Sequence, residues 1–448
     1  MSNQTDLTQG DVRRQLIRYS LPIIASTVVQ TVYSLVDLMV VSRMLGSAGA
    51  SGVSNSSQIV LMLTNIAVGL ANGGNILVSQ YFGSRDKARQ ERVTGTFLTL
   101  FTLVGAFVAV GTFLLAGPML RLISAPAYEE AVAYLRIAGL GMFFVYFYNC
   151  ASSVLRAVGN SKQPMRIIMV TCVLNVALDL LFVGPLGLGT AGAALATVLS
   201  QGLSCVLALG YLLKNRDIFS FRRALLKPNG EDTASILKLG IPCAVQMTVA
   251  SISWLTVTFL VNGYGVDCSA ASAYAAKVKD LSMMFITSLI NAASVMIAQT
   301  LGAGKFDRAR EVLGEAMKLS ILISVVLIAL VELCAPLFAR LFTGDAEVIR
   351  IAALNMRIEI LGQIFYSIFL IYHAMMIGAG DTYMVLVSSF MNCILFRIIL
   401  CAIFNSIWGL TGIFVACAIA PASSIPVGWL YMRSNHWRRS IAQRQEES

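Results

Sequence analysis

Two polar side chains four residues apart, Asn175 and Asp179, interrupt an apolar run from Cys172 to Gln201 that is long enough to lie in a bilayer. On a helix that spacing puts both on one face. A charge at the middle of a membrane helix costs about 2.5–3.5 kcal/mol on insertion scales, so a carboxylate there faces a protein interior or a water-filled cavity. The other Asp at comparable depth in the first half is Asp37, on the first hydrophobic segment. Burial disfavours the charged form of a carboxyl group and a second carboxylate nearby disfavours it further, so such a pair can take up a proton. The chemistry suggested is one site for a proton or a small cation. The plainer alternative is a buried structural hydrogen-bond pair. Tyr33, one helical turn before Asp37, is placed to neighbour the site.

These residues must be positioned by membrane helices. The chain has 448 residues, of which 57% are hydrophobic and 12% charged, and its mean hydropathy is +0.76. A soluble globule carries about 25% charged residues, so that class is excluded. Apolar runs of helical length recur near 16–42, 54–80, 93–116, 132–156, 166–184, 191–213, 236–263, 272–300, 313–336, 352–378, 384–407 and 411–432. They predict about twelve transmembrane helices rather than the weak alternation of a barrel. Of the 33 basic residues, 24 fall in the segments that an inside N-terminus places in the cytoplasm, among them Arg13, Arg85, Lys162, Lys227, Lys305 and Arg438. The positive-inside rule therefore predicts an inner (plasma) membrane protein with both termini cytoplasmic. The net charge of +10 is read as topological and not as a nucleic-acid footprint. The polar Met1–Gly10 predicts no cleavable signal peptide, and the nine Cys, without CxxC spacing, are expected to be reduced core residues.

Comparing the chain with itself reveals a repeat. Ser-Leu-Pro-Ile at 20–23 recurs as Gly-Ile-Pro-Cys at 240–243, Gln80-Tyr-Phe-Gly as Gln299-Thr-Leu-Gly, and Val158-Gly159-Asn160 as Ala379-Gly380-Asp381. The offsets are 242 − 22 = 220, 299 − 80 = 219 and 380 − 159 = 221. The expected fold is an all-α integral membrane protein with two six-helix lobes. The first covers 1–213, a cytoplasmic inter-lobe loop covers 214–235, and the second, with a basic tail, covers 236–448. Six is even, so the halves insert with the same orientation, as a parallel pseudo-two-fold repeat, with a substrate cavity expected between them. At the repeat offset Asp37 falls on Thr256 or Val257 and Asp179 on Leu400, or on Phe396 if Asn392 is matched to Asn175. The deep acidic pair belongs to the first half.

The order and duplication of Val36-Asp37, Gln80-Tyr-Phe-Gly83, Arg156-Ala-Val-Gly-Asn160, Asn175-x-x-x-Asp179, Gly189-x-x-Gly192-Ala-Ala-x-Ala-Thr197, Ala298-Gln-Thr-Leu-Gly-Ala303 and Gly378-Ala-Gly-Asp-Thr382 resemble the multidrug and toxic compound extrusion (MATE) transporters over nearly the full length. The resemblance implies efflux of cationic or amphipathic compounds in exchange for H⁺ or Na⁺ by alternating access. It further implies a cation or proton site of Asp37, Asn175 and Asp179 with Tyr33 and Thr197 beside it. If the ion is Na⁺, the two carboxylates, the Asn175 carbonyl and the Thr197 hydroxyl supply oxygen ligands. Some members carry a Glu on span seven and an Asp on span ten; here those regions hold Gln246, Trp254, Gln363 and Tyr366.

Other polar or adaptable residues are candidates for a substrate cavity. Asn149, Lys277, Met283, Tyr366 and Arg397 form that set. Arg397 would line the cavity or pair with Glu359 or Asp280, Lys277 would line it or snorkel to the interface, and Met283 would pack or adapt to a ligand. Membrane lipid and small-molecule drugs or metabolites are the expected partners, with a monomeric chain, no nucleic acid and no cofactor beyond the coupling ion. There is no Walker A, GxSxG or HExxH pattern, so an ATP-driven pump and a hydrolase are disfavoured. The alternative kept is a lipid-linked oligosaccharide or peptidoglycan-precursor flippase, for which Arg397 and Lys277 are the only suitable cations.

Overall fold

In hydrocarbon a backbone must satisfy its own polar groups, so apolar runs of this length form helices. The computed structural model describes residues 5–122, 127–220, 222 and 224–438, and among them no strand occurs. Arg223, Arg439 and Arg444, three of the 24 basic residues behind the topology expectation, lie outside the described residues. The helices are α1 (Val12–Ser84), α2 (Lys87–Leu122), α3 (Tyr128–Ala157), α4 (Lys162–Val183), α5 (Gly189–Lys214), α6 (Gly230–Asn262), α7 (Val266–Gly302) and α8 (Phe306–Arg340). They continue with α9 (Ala346–Leu361), α10 (Gln363–Ala379), α11 (Thr382–Phe390), α12 (Arg397–Trp408), α13 (Leu410–Ile419) and α14 (Ile425–Arg433). Among the described residues eleven helices are long and apolar enough to cross a membrane, and twelve if the bent pair α9–α10 is one span. The chain is an all-α integral membrane protein.

Helical geometry in α1 runs without a break from Val12 to Ser84, where the sequence predicts two spans with a connection between them. Two apolar stretches within it, Val12–Val41 and Gly52–Ser84, each qualify as a span. At about 1.5 Å per residue the whole would be far longer than a bilayer is thick, so one straight crossing is excluded. Val41 and Val53 accordingly pack into one cluster with Tyr134, Ala138, Val183 and Ala193.

The helices divide into two compact units. The first is Met1–Asp6 with Leu21–Ala244, and the second is Leu7–Ser20 with Val245–Ser448. In the first, the 214–235 stretch is tied along α2. Thr99 Oγ1 donates to the Leu226 carbonyl at 2.8 Å, and the Arg92 guanidinium forks onto Asp232 at 2.8 and 3.1 Å. In the second, the opening Leu7–Ser20 segment plays the corresponding part. The Leu7 N–H donates to Gln299 Oε1 at 3.2 Å, Lys305 Nζ donates to the Thr8 carbonyl at 2.8 Å, and Arg308 donates to the carbonyls of Leu7, Gln9 and Gly10.

The repeat seen in sequence reappears as hydrogen bonding inside each unit. Gly159 and Gly380 close their helices with φ of 80° and 81°, a left-handed conformation that glycine adopts without a Cβ penalty. The next residue in each case meets a tyrosine. Asn160 Nδ2 donates to the Tyr211 hydroxyl at 2.9 Å, and the Tyr431 hydroxyl donates to the Asp381 carboxylate. Tyr211 and Tyr431 are themselves matched at the repeat offset.

Three interruptions in the second unit are absent from the sequence expectation of smooth spans. The predicted 352–378 helix bends by 44° at Gly362, between α9 and α10. A Cβ at Gly362 would lie 2.3 Å from the Ala418 carbonyl oxygen, so the close approach of α13 demands glycine there. The predicted 384–407 helix contains a π-turn at Met391–Phe396, immediately before Arg397, and the 411–432 helix contains a 3₁₀ turn at Ala420–Ser424. Such turns shift helix register and concentrate at functional sites.

Candidate functional site

In the first unit α1, α3, α4 and α5 bring the acidic pair together. Asp179 and Asn175, on one face of α4, are 0% and 2% exposed. Asp37, from α1, neighbours Asp179. Among the described residues no group donates to Asp37 Oδ1 or to either carboxyl oxygen of Asp179, and both the oxygen and the nitrogen of the Asn175 amide lack partners. A cluster of buried acceptors without donors is costly unless a proton or a cation completes it.

Beside this pair lies a cavity of about 320 Å³, lined by Tyr33, Asn149, Asn175 and Thr197 together with Gln30 and Ser200. Tyr33 faces Thr197 and lies within electrostatic range of both Asp37 and Asp179. The Thr197 hydroxyl donates to the Ala193 carbonyl at 3.1 Å, which leaves its oxygen lone pairs as acceptors. Asn149 Nδ2 donates to the Val145 carbonyl at 2.9 Å, leaving its amide oxygen as an acceptor. All five residues proposed for the ion site, and Asn149, therefore fall in one neighbourhood. Sequence reasoning missed Tyr134, on α3 and 5% exposed, which faces Asp37, Asp179, Thr197 and Ser57. A tyrosine in an apolar span carries no spacing signal that separates it from packing.

In the second unit the remaining candidates gather around a different cavity of about 390 Å³, lined by Trp254, Lys279, Met283, Glu359, Tyr366 and Arg397 among others. Lys277 is exposed and does not line it; Lys279 does, because two residues turn a helix by about 200°. Arg397 is 2% exposed and forms no ion pair with Glu359 or Asp280. Its Nη1 donates to Ser253 Oγ at 3.4 Å, and its guanidinium carbon stands 4.5 Å from the centre of the Trp254 ring. Glu359 is instead taken by Lys279, at 2.8 Å, and Lys279 Nζ sits 3.3 Å above the same Trp254 ring. No group of three or more His, Cys, Asp or Glu side chains suited to a metal ion occurs among the described residues.

A duplicated bundle of membrane helices with buried polar groups left unpartnered in each half is the arrangement expected of a polytopic transporter. Comparison with known proteins agrees. The MatE family profile matches twice, over residues 22–181 and 242–403, two blocks set apart by the same offset as the sequence repeat. The chain is 31% identical over 354 residues to a probable multidrug resistance protein, YoeA, of Bacillus subtilis, covering 77% of this chain and 76% of that one. It is 28% identical over 436 residues to a second, YpnP, of the same organism, covering 97% of each. Among solved structures, an outward-facing multidrug resistance MATE family transporter of the MOP superfamily superposes with a TM-score of 0.90 at 24% identity, over 96% of this chain and 97% of that one. The chain belongs to the MATE family of multidrug efflux transporters. Its relatives are transporters.

Proposed function

We propose that this chain is a secondary active antiporter that exports cationic or amphipathic compounds in exchange for protons, with Asp37 and Asp179 as the proton-binding pair. The observation that carries the reading is the approach of two carboxyls whose buried oxygens lack donors. One proton placed between them satisfies both, and its loss leaves two anions that repel. Protonation thus gives the α1–α4 region two arrangements of different energy, and drug binding favours the one that protonation does not. Coupling requires that difference, because a ligand that binds both states equally shifts nothing. Asn175, Tyr33, Tyr134 and Thr197 orient the pair and present oxygens to it. A sodium ion at Asp37, Asn175 and Asp179 is the competing occupant. A proton is preferred because a single one serves two neighbouring carboxyls, whereas Na⁺ draws on several oxygens at once.

An amphipathic substrate is supported by the apolar and aromatic cavity wall, to which Phe144, Tyr148 and Val68 contribute. Orientation with both termini cytoplasmic in an inner membrane rests on the asymmetry of Lys and Arg, and a single chain suffices for all of these roles. The test is transport of a fluorescent cationic dye in proteoliposomes under an imposed pH gradient or an imposed Na⁺ gradient, with wild type and Asp179→Asn. Drive by the pH gradient alone, lost in the variant, is expected. Drive by Na⁺ alone would replace the proton with a metal ion at the same residues, and wild-type rates in Asp179→Asn would remove the assignment.

A further inference from the structure

The second cavity contains a set of donors that no ion-coupling role uses. Two of its buried lining side chains, Arg397 and Gln363, each 2% exposed, have a nitrogen with no acceptor among the described residues: Arg397 Nε and Gln363 Nε2. A third donor, Lys279 Nζ, spends one proton on Glu359 and faces the Trp254 ring with another. The carboxylates at this cavity do not neutralise Arg397. Glu359 is held by Lys279, and Asp280, which also lines the cavity from α7, makes no ion pair with the guanidinium.

The backbone is arranged to the same end. The bend at Gly362, between α9 and α10, sets Gln363 on the cavity wall. The π-turn at Met391–Phe396 sets the register of Arg397, and Trp254 carries both cations against its ring. Unpartnered buried donors and a cation with no ion-paired carboxylate converge on one space, and the group that completes them is an anion. Arginine's planar fork favours a planar oxyanion, and the Trp254, Tyr366 and Met283 walls favour an aromatic or otherwise apolar body attached to it.

We propose that the cavity between α6, α7, α10 and α12 is a binding site for amphipathic organic carboxylates, with Arg397 and Gln363 holding the carboxylate and Trp254 packing on the apolar body. The site goes beyond proton-coupled export of cations and does not depend on it, because binding is measured without a gradient.

The test uses the purified full-length protein in nanodiscs and bromonaphthoate, whose bromine quenches tryptophan fluorescence on contact, with bromonaphthyl methanol as the uncharged counterpart. The wild type is expected to show saturable quenching by the acid at a concentration about tenfold or more below that needed for the alcohol. Arg397→Gln should abolish the preference for the acid, and Arg397→Lys should keep part of it. Trp254→Phe retains an aromatic wall but should lose the saturable quenching, and this decides the matter even if the Arg397 variants fail to fold. Asp179→Asn should bind the acid as the wild type does, which separates this site from the proton pair. Equal quenching by acid and alcohol in the wild type, an unchanged preference in a folded Arg397→Gln, or undiminished quenching in Trp254→Phe would overturn the proposal.

Discussion

The two units carry the same scaffold and opposite buried charges. Each ends a helix on a left-handed glycine, Gly159 or Gly380, and the residue that follows is hydrogen-bonded to a tyrosine, Tyr211 or Tyr431, matched to its counterpart by the repeat. Each also binds a chain segment against its helices, 217–232 on α2 in one and Leu7–Ser20 on α7 and α8 in the other. Inside, among the described residues, the first unit leaves Asp37 Oδ1 and both carboxyl oxygens of Asp179 without donors, and the second buries Arg397 without a carboxylate partner. At the repeat offsets of 219–221, Arg397 corresponds to Val176, Ala177 or Leu178, all apolar. Duplication therefore retained what closes and ties the helices, where geometry leaves few alternatives, and let the buried charges diverge, where a change of residue changes chemistry without changing the fold.

The sharpest break in that comparison is Asp179→Asn. It should reduce ion-driven dye efflux to the level of protein-free liposomes while the variant inserts and elutes like the wild type; equal pumping would make the two units chemically equivalent in coupling. Asp37→Asn should be milder, because an amide can still donate to Asp179. A loss of about 10- to 100-fold in transport rate is expected, the worth of one hydrogen bond to a charged group.

The scaffold bonds are predicted to differ in strength between the units. Tyr431→Phe removes a hydrogen bond to the carboxylate of Asp381, itself 9% exposed, and should cost about 1.5–3 kcal/mol of stability in a thermal unfolding assay in detergent. Gly362→Ala, which drives a methyl group toward the Ala418 backbone, should cost about 1–3 kcal/mol and act on the second unit alone. The smallest effect belongs to Tyr211→Phe, whose partner Asn160 is neutral, at about 0.5–1.5 kcal/mol. If Tyr211→Phe proves as costly as Tyr431→Phe, the charge on Asp381 adds nothing, and the two scaffolds are energetically as well as geometrically alike.

The location of the membrane helices was legible from residue order. The predicted 191–213 and 236–263 spans are α5 (Gly189–Lys214) and α6 (Gly230–Asn262), because the thickness of a bilayer imposes a length that hydropathy records directly. The acidic pair and Asn175 were legible because a carboxylate in hydrocarbon is rare enough to stand out. Tyr134 was not, since an aromatic residue satisfies the demands of packing and of hydrogen bonding alike. Lys277 and Lys279 were indistinguishable in a linear reading, and only the face that α7 turns inward separates them. The bend at Gly362 and the π-turn before Arg397 leave no mark on hydropathy, because their residues are as apolar as those of a regular helix.

Residue order alone thus determined the class of the protein, the number of its spans, their duplication and the acidic character of one buried site, each of which follows from the free energy of placing a side chain in lipid or keeping it out. Only the tertiary structure decided which charges meet. It committed Lys279 to Glu359, left Arg397 and Gln363 as open donors on one cavity, and joined Asp37 on α1 to Asp179 on α4. Pairing depends on helix rotation and on local breaks in register, and small packing differences set these without altering how much any residue prefers the membrane.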